Sequence, residues 1–148
     1  MSKSIVRAAC GLLILLVVIA GLAGCGPMGE PDYASQITES ALVSISACDY
    51  AAHAALYTPE ARAAFTEDQF NTGCQEINAT IGNYIDKEFW KAEIQNSYIV
   101  VYYNANFSEE PEGAEVSVYF QEIDGEMYIA GFELKSPKIE SSLESSGE

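Results

Sequence analysis

The pattern of apolar and polar positions changes twice along this chain. From Ala8 to Gly24 run 17 uncharged residues, dense in Leu, Ile and Val and without periodicity. Helical spacing begins at Asp32: Ile37, Ala41, Ile45 and Cys48 share one stripe at i, i+4, i+8 and i+11, which predicts a first helix over about 32–48. Asp49 is placed to cap a second, short helix over YAAHAALY. Thr58-Pro59-Glu60 is a start signal, with a hydroxyl cap, Pro at the first helical position and an acid in the first turn. Thr66 followed by Gln69 is a capping box opening a third main helix. That helix sets Phe70, Cys74, Ile77 and Ile81 on one face and stops at Gly82.

Beyond residue 84 the period becomes two. In IDKEFWKAEI, Trp90, Ala92 and Ile94 alternate with charged residues. Gln95-Asn96-Ser97 reads as a turn, and YIVVYYNANF then places Ile99, Val101, Tyr103, Ala105 and Phe107 on one face. SEEPEG reads as a polar loop. AEVSVYFQEI opposes Val116, Val118 and Phe120 to Glu115, Ser117 and Tyr119. Asp124-Gly125 is a hairpin signal because both positions tolerate positive φ, and EMYIAGFEL closes the sheet. The prediction is α+β: three N-terminal helices packed on one face of a curved four-stranded antiparallel sheet. SPKIESSLESSGE, residues 136–148, is rich in Ser and Glu and reads as a disordered acidic tail from 137 on.

The opening stretch gives the chain an address. Lys3 and Arg7 precede the apolar run, which at 17 residues is short for a bilayer span of about 20. It ends in Leu22-Ala23-Gly24-Cys25, which resembles a bacterial lipobox. The resemblance implies a signal peptide over 1–24, cleavage before Cys25, and lipidation of the Cys25 sulfur. A plain signal peptide cut near Gly24 and an uncleaved anchor are the alternatives. With Gly26 and not Asp after the cysteine, the resemblance implies the periplasmic face of the outer membrane in a Gram-negative cell. Residues 25–31, CGPMGEP, read as a flexible tether.

Charge and cysteines narrow the picture. Without residues 1–24 the chain keeps five basic against 22 acidic side chains, a formal charge of −17. Such a surface repels nucleic acid and anionic headgroups, so the domain is expected to stand away from the membrane on its tether. Cys48 and Cys74 remain for an oxidising compartment and read as a disulfide, with two buried thiols as the alternative. The only histidine is His53 and there is no CxxC pair, so neither a metal nor a cofactor is expected.

The order of helix, short helix, helix and curved sheet resembles the cystatin-like cone of the nuclear transport factor 2-like superfamily, and in particular its small exported bacterial domains. The residues that carry the likeness are Asp49-Tyr50, TPEARAAFTEDQF, the break at Gly82, YIVVYYNANF, Glu115, and the ending from Asp124-Gly125 to Gly131-Phe132. Met127 stands where relatives often have Trp. The likeness covers residues 32–136 and implies a pocket between the helices and the concave face of the sheet.

In enzymes of that superfamily the pocket holds an acid, a histidine or a tyrosine for proton transfer. Asp49, Asp86 and Glu88 are the conceivable bases here, and Tyr50, Tyr57 and Tyr103 the conceivable donors. Asp49 reads more simply as a helix cap, Asp86 and Glu88 as a solvated strand face, and His53 as a structural residue of an Ala-rich helix. No catalytic residue is therefore assigned. The expectation is an envelope domain, anchored through Cys25, that binds a small ligand or an envelope protein without catalysis. A small isomerase- or dehydratase-like pocket enzyme is the alternative, and pairing into a homodimer through the sheet stays open.

Overall fold

The structure is a computed structural model in which residues 28–145 are described. Cys25 and the segment before it lie outside those residues. Four helices precede the sheet: α1 (Asp32–Ala47), α2 (Tyr50–Ala54), α3 (Pro59–Ala63) and α4 (Glu67–Ile81). Strands β1 (Tyr84–Gln95), β2 (Tyr98–Phe107), β3 (Glu110–Ile123) and β4 (Glu126–Lys135) then form an antiparallel meander in the order β1-β2-β3-β4. The class is α+β. A fifth helix, α5 (Pro137–Ser145), follows the sheet.

The helix boundaries follow from local chemistry. Thr58 Oγ1 accepts from Ala61 N at 3.1 Å, which starts the five-residue α3 as a separate turn. At Thr66 both halves of the capping box form, opening α4. Helix α1 ends where Cys48 turns left-handed at φ 51°, and the N–H groups of Cys48 and Asp49 return to Ile45 and Ser44. Gly82 ends α4 at φ 79°, with Ser108 and Glu109 packed where a Cβ would project.

The core lies between the helices and one face of the sheet. Ala34, Ala41 and Leu42 of α1 meet Val101, Tyr103, Val116, Val118, Phe120 and Ile129, all buried. The other sheet face carries Tyr102, whose hydroxyl donates to Glu93 at 2.8 Å, and Tyr119, whose hydroxyl lies 3.5 Å from Glu133.

Three expectations are corrected. The SEEPEG loop shrinks to Ser108 and Glu109, and β3 starts at Glu110. Pro111 is tolerated because β4 reaches along β3 only to Glu115, so its missing N–H faces no ladder partner there. A bulge between Phe89 and Lys91 breaks the β1 alternation: Phe89 and Ala92 both face the core, while Trp90 is 53% exposed and meets Tyr102 on the other face. The disordered tail is instead α5 over most of its length: Ser136 caps it, Glu110 Oε2 accepts from Lys138 N at 3.1 Å, and Ile139 packs against the core. Ile139 and Leu143 lie four apart, a helical pair that the Ser- and Glu-rich composition hides.

The tether is also shorter than read. Met28 forms a β-bridge with Ala92, and Glu30 accepts from the Tyr103 hydroxyl at 2.8 Å. The folded unit therefore extends beyond residues 32–136 at both ends.

Candidate functional site

Between the C-terminal half of α1, the α2–α3 segment, α4 and strand β4 lies a cavity of about 290 Å³. Its walls are assembled from short-range signals. The left-handed turn at Cys48 reverses the chain so that α2 packs back on α1, which sets His53 against Ser44. The segment after α2 is then knitted to β4: Thr58 N donates to the Ile129 carbonyl and Ile129 N to the Leu56 carbonyl, both at 2.9 Å. That pairing presses Tyr57 into the cavity wall. Phe65, just before the α4 cap, and Phe70, in its first turns, supply two further rings, and Phe132 of β4 closes the sheet side. Cys74 lines the floor and is joined to Cys48 by a disulfide with a Cα separation of 5.6 Å, tying α4 to the end of α1.

His53 is the polar centre of this wall. It is 5% exposed. The Ser44 hydroxyl donates to the Ala41 carbonyl at 2.7 Å, so its lone pair accepts from the His53 Nδ1–H at 2.8 Å. In this tautomer, with the proton on Nδ1, Nε2 is an unprotonated acceptor, and no hydrogen bond to it is found among the described residues. Burial pushes the imidazole down to about 4, against the opposing pull of the Ala41 carbonyl. The ring stacks at 4.7 Å on Phe70 and 4.9 Å on Tyr57, which in turn meets Phe65 edge-on at 5.3 Å. Burial also raises the Tyr57 phenol well above its usual range, so it stays a neutral hydroxyl. No carboxylate and no cationic side chain lines the cavity.

The other candidate residues lie elsewhere. Asp49 caps α2, accepting from Ala52 N at 3.0 Å, and is exposed. Asp86 accepts from Asn106 Nδ2 at 2.6 Å on the exposed strand face, and Glu88 is exposed too. Tyr50 buttresses Phe65 and Phe70 from behind, at 6.0 and 5.9 Å. Tyr103 belongs to a separate polar cluster. Its ring lies under Lys87 Nζ at 4.8 Å, and Lys87 reaches Ser35 Oγ at 2.9 Å and Glu39 at 3.5 Å. Of the conceivable acid–base residues only Tyr57 meets His53. Ser44, Phe65 and Phe132 were not among the candidate site residues read from the sequence. The one available signal was the nine-residue spacing from Ser44 to His53 across a helix turn, which has no distinctive motif.

Among the described residues no group of three His, Cys, Asp or Glu side chains could hold a metal ion. None of the described helices is long and apolar enough to cross a membrane.

No protein-family model matches the chain, and no curated protein matches it. Among solved structures the chain is similar to the solution structure of a SEC-C motif containing protein from Rhodopseudomonas palustris. The identity is 15% and the TM-score 0.49, over 66% of this chain and 74% of that one.

Proposed function

We propose that the protein is an envelope lipoprotein, held to the membrane through acylated Cys25, whose domain binds a small uncharged aromatic ligand without transforming it. The observation that carries the binding reading is the His53 cavity: a space of about 290 Å³ walled by Tyr57, Phe65, Phe70 and Phe132, with one neutral acceptor nitrogen in the wall. Such a volume sits at the small end of ligand pockets, room for one ring system. Charged ligands would find no counter-charge there and would leave their solvation unreplaced. The lipid anchor rests on the Leu22–Cys25 lipobox. Helices gathered on one face of a bulged meander support the likeness to nuclear transport factor 2-like cones.

The enzyme alternative needs a general base near its target proton. His53, with its proton affinity lowered by burial, is a weak base at neutral pH, and no carboxylate reaches it or Tyr57 to strengthen it. The geometry suits recognition better than proton transfer.

Phenol and toluene test the pocket, being of equal size and differing in a donor. Saturable shifts of the His53 imidazole resonances on titration with either are expected. The phenol-to-toluene affinity ratio should drop roughly 2- to 10-fold in His53→Phe, the range one neutral hydrogen bond provides. No saturable shift with either probe would refute the binding reading. For the anchor, Cys25→Ser should leave an uncleaved precursor that incorporates no labelled fatty acid. Normal processing and labelling of that variant would refute it.

A further inference from the structure

Helix α4 separates two spaces. Its inner side walls the aromatic cavity through Phe70, Gly73, Cys74 and Ile77. Its flank, together with α5, walls a surface groove of about 230 Å³ that Ile139 and Leu143 also line. Gly73 and Ile77 border both spaces. Standing four apart, they are successive members of one ridge along the helix. At Gly73 that ridge has no side chain. The cavity and the groove therefore meet across a notch, with Ile77 beside it.

Nothing in the packing asks for glycine at this place. Gly73 lies in the middle of α4, where glycine is the least favourable residue after proline. A Cβ there would meet no atom within 4 Å, whereas at Gly82 it would collide with Ser108 and Glu109. What a side chain at position 73 would take up is the open space itself.

Helix α5 gives the groove its second wall. Ser136 Oγ accepts from Ile139 N at 3.1 Å, which starts the helix, and Ile139 packs against the core. Leu143, one turn further on, lines the groove and is 70% exposed. The groove follows α4 from Gly73 to Thr80, seven residues or about 10 Å of helix axis. Glu76 is the only charged side chain that lines it among the described residues. An anionic chain would be repelled there, while an uncharged alkyl chain would leave water against Ile77, Ile139 and Leu143.

We propose that the ligand is longer than the cavity: a phenol ring seated beside His53, with an uncharged alkyl chain that leaves over Gly73 and lies in the α4–α5 groove. Its chemical class is the alkylphenols. This deepens the reading of the aromatic cavity as a binding site and rests on it.

The probes are phenol and its para-ethyl, para-butyl and para-hexyl derivatives, titrated into the protein. The His53 imidazole resonances should shift saturably with each. Affinity should rise about two- to fourfold per methylene, the range for an alkyl chain leaving water into a groove open on one side. The Ile139 and Leu143 methyl resonances should shift with para-hexylphenol but not with phenol, at the same half-saturation as His53. Gly73→Leu places a better helix former in open space, so it should melt no lower than wild type. It should keep phenol binding and lose at least about tenfold of the gain from the hexyl chain. No response to phenol or to any derivative overturns the cavity reading and this proposal with it. Phenol binding without a gain for longer chains, or a gain without the Ile139 and Leu143 shifts, overturns the groove and leaves the cavity reading standing; this readout needs no variant. A gain that survives Gly73→Leu overturns the route over Gly73. Methyl shifts that follow protein concentration and not ligand mark a contact between copies, and overturn the groove as a ligand site.

Discussion

Acidification should destabilise this domain through His53 in a way that can be separated from its carboxylates. The folded state holds the imidazole neutral down to about 4, whereas in the unfolded chain it takes up a proton near 6.5. Between those values the unfolded state binds more protons, so stability rises with pH. The His53 contribution is complete above about pH 6.5 and is lost as pH falls toward about 4. At 1.36 kcal/mol per pH unit the loss amounts to about 3 kcal/mol, a large share of an ordinary domain's 5–15 kcal/mol. Its neighbours do not cancel it. Tyr57 stays neutral throughout this window, and no carboxylate lines the cavity to stabilise an imidazolium. The 22 acidic groups titrate in part of the same range, so the measurement is a difference. Urea unfolding is followed from pH 7 to pH 4 for the wild type and for His53→Gln, which keeps a polar group toward Ser44 but does not titrate. The wild type should lose about 3 kcal/mol more than the variant over that range. Since His53 is the only histidine, its imidazole resonances also give an unambiguous titration. Parallel stability profiles, or a resonance titrating near 6.5 in the folded protein, would refute the reasoning.

Other tests address the frame around the cavity. Reducing the Cys48–Cys74 bridge, whose partners lie 26 positions apart, should cost about 3.5 kcal/mol by loop entropy, read as a lower urea midpoint. An unchanged midpoint, or two titratable thiols in protein from its native source, would exclude a stabilising bridge. Gly82→Ala should cost roughly 2 kcal/mol or more, because φ is 79° and the new Cβ meets the Ser108 side chain and the Glu109 backbone; a thermal melt within 1–2 °C of wild type would contradict this. Thr66→Ala removes the capping box of α4 and should cost about 1 kcal/mol, with Thr66→Ser restoring most of it; equal melting of all three proteins would count against the cap.

Much of this fold was legible because local rules and tertiary packing agree. Thr58, Thr66, Gly82 and Asp124-Gly125 each demand one backbone conformation, and each marks a boundary in the structure. The strand faces of β2 and β3 were readable from a strict period of two. Where the reading failed, one residue's context outweighed its pattern. The bulge at Phe89–Lys91 reverses the phase of β1 and puts Trp90 outside, and a bulge leaves no mark in hydropathy. Helix α5 depends on Glu110, 28 residues away from Lys138, so composition alone argued for disorder. The cavity was the least legible part. Its rings come from the α2–α3 segment, α4 and β4, and the role of His53 is set by Ser44, a residue that looks like any other helix serine.

The two hydrogen bonds that knit Leu56 and Thr58 to Ile129 have a bearing on how the protein reaches its working state. They join parts of the chain more than 70 residues apart, one in the first half and one in the last strand. In a chain that arrives N-terminus first, His53, Ser44 and the disulfide partners are all present while the wall that fixes Tyr57 is still missing. Contacts of such long sequence separation form late, after the loop-closure entropy has been met by the rest of the sheet. The aromatic box is thus a late-forming part of this domain, and a chain that stops short of β4 would carry the helices and the disulfide partners yet lack the wall that holds Tyr57.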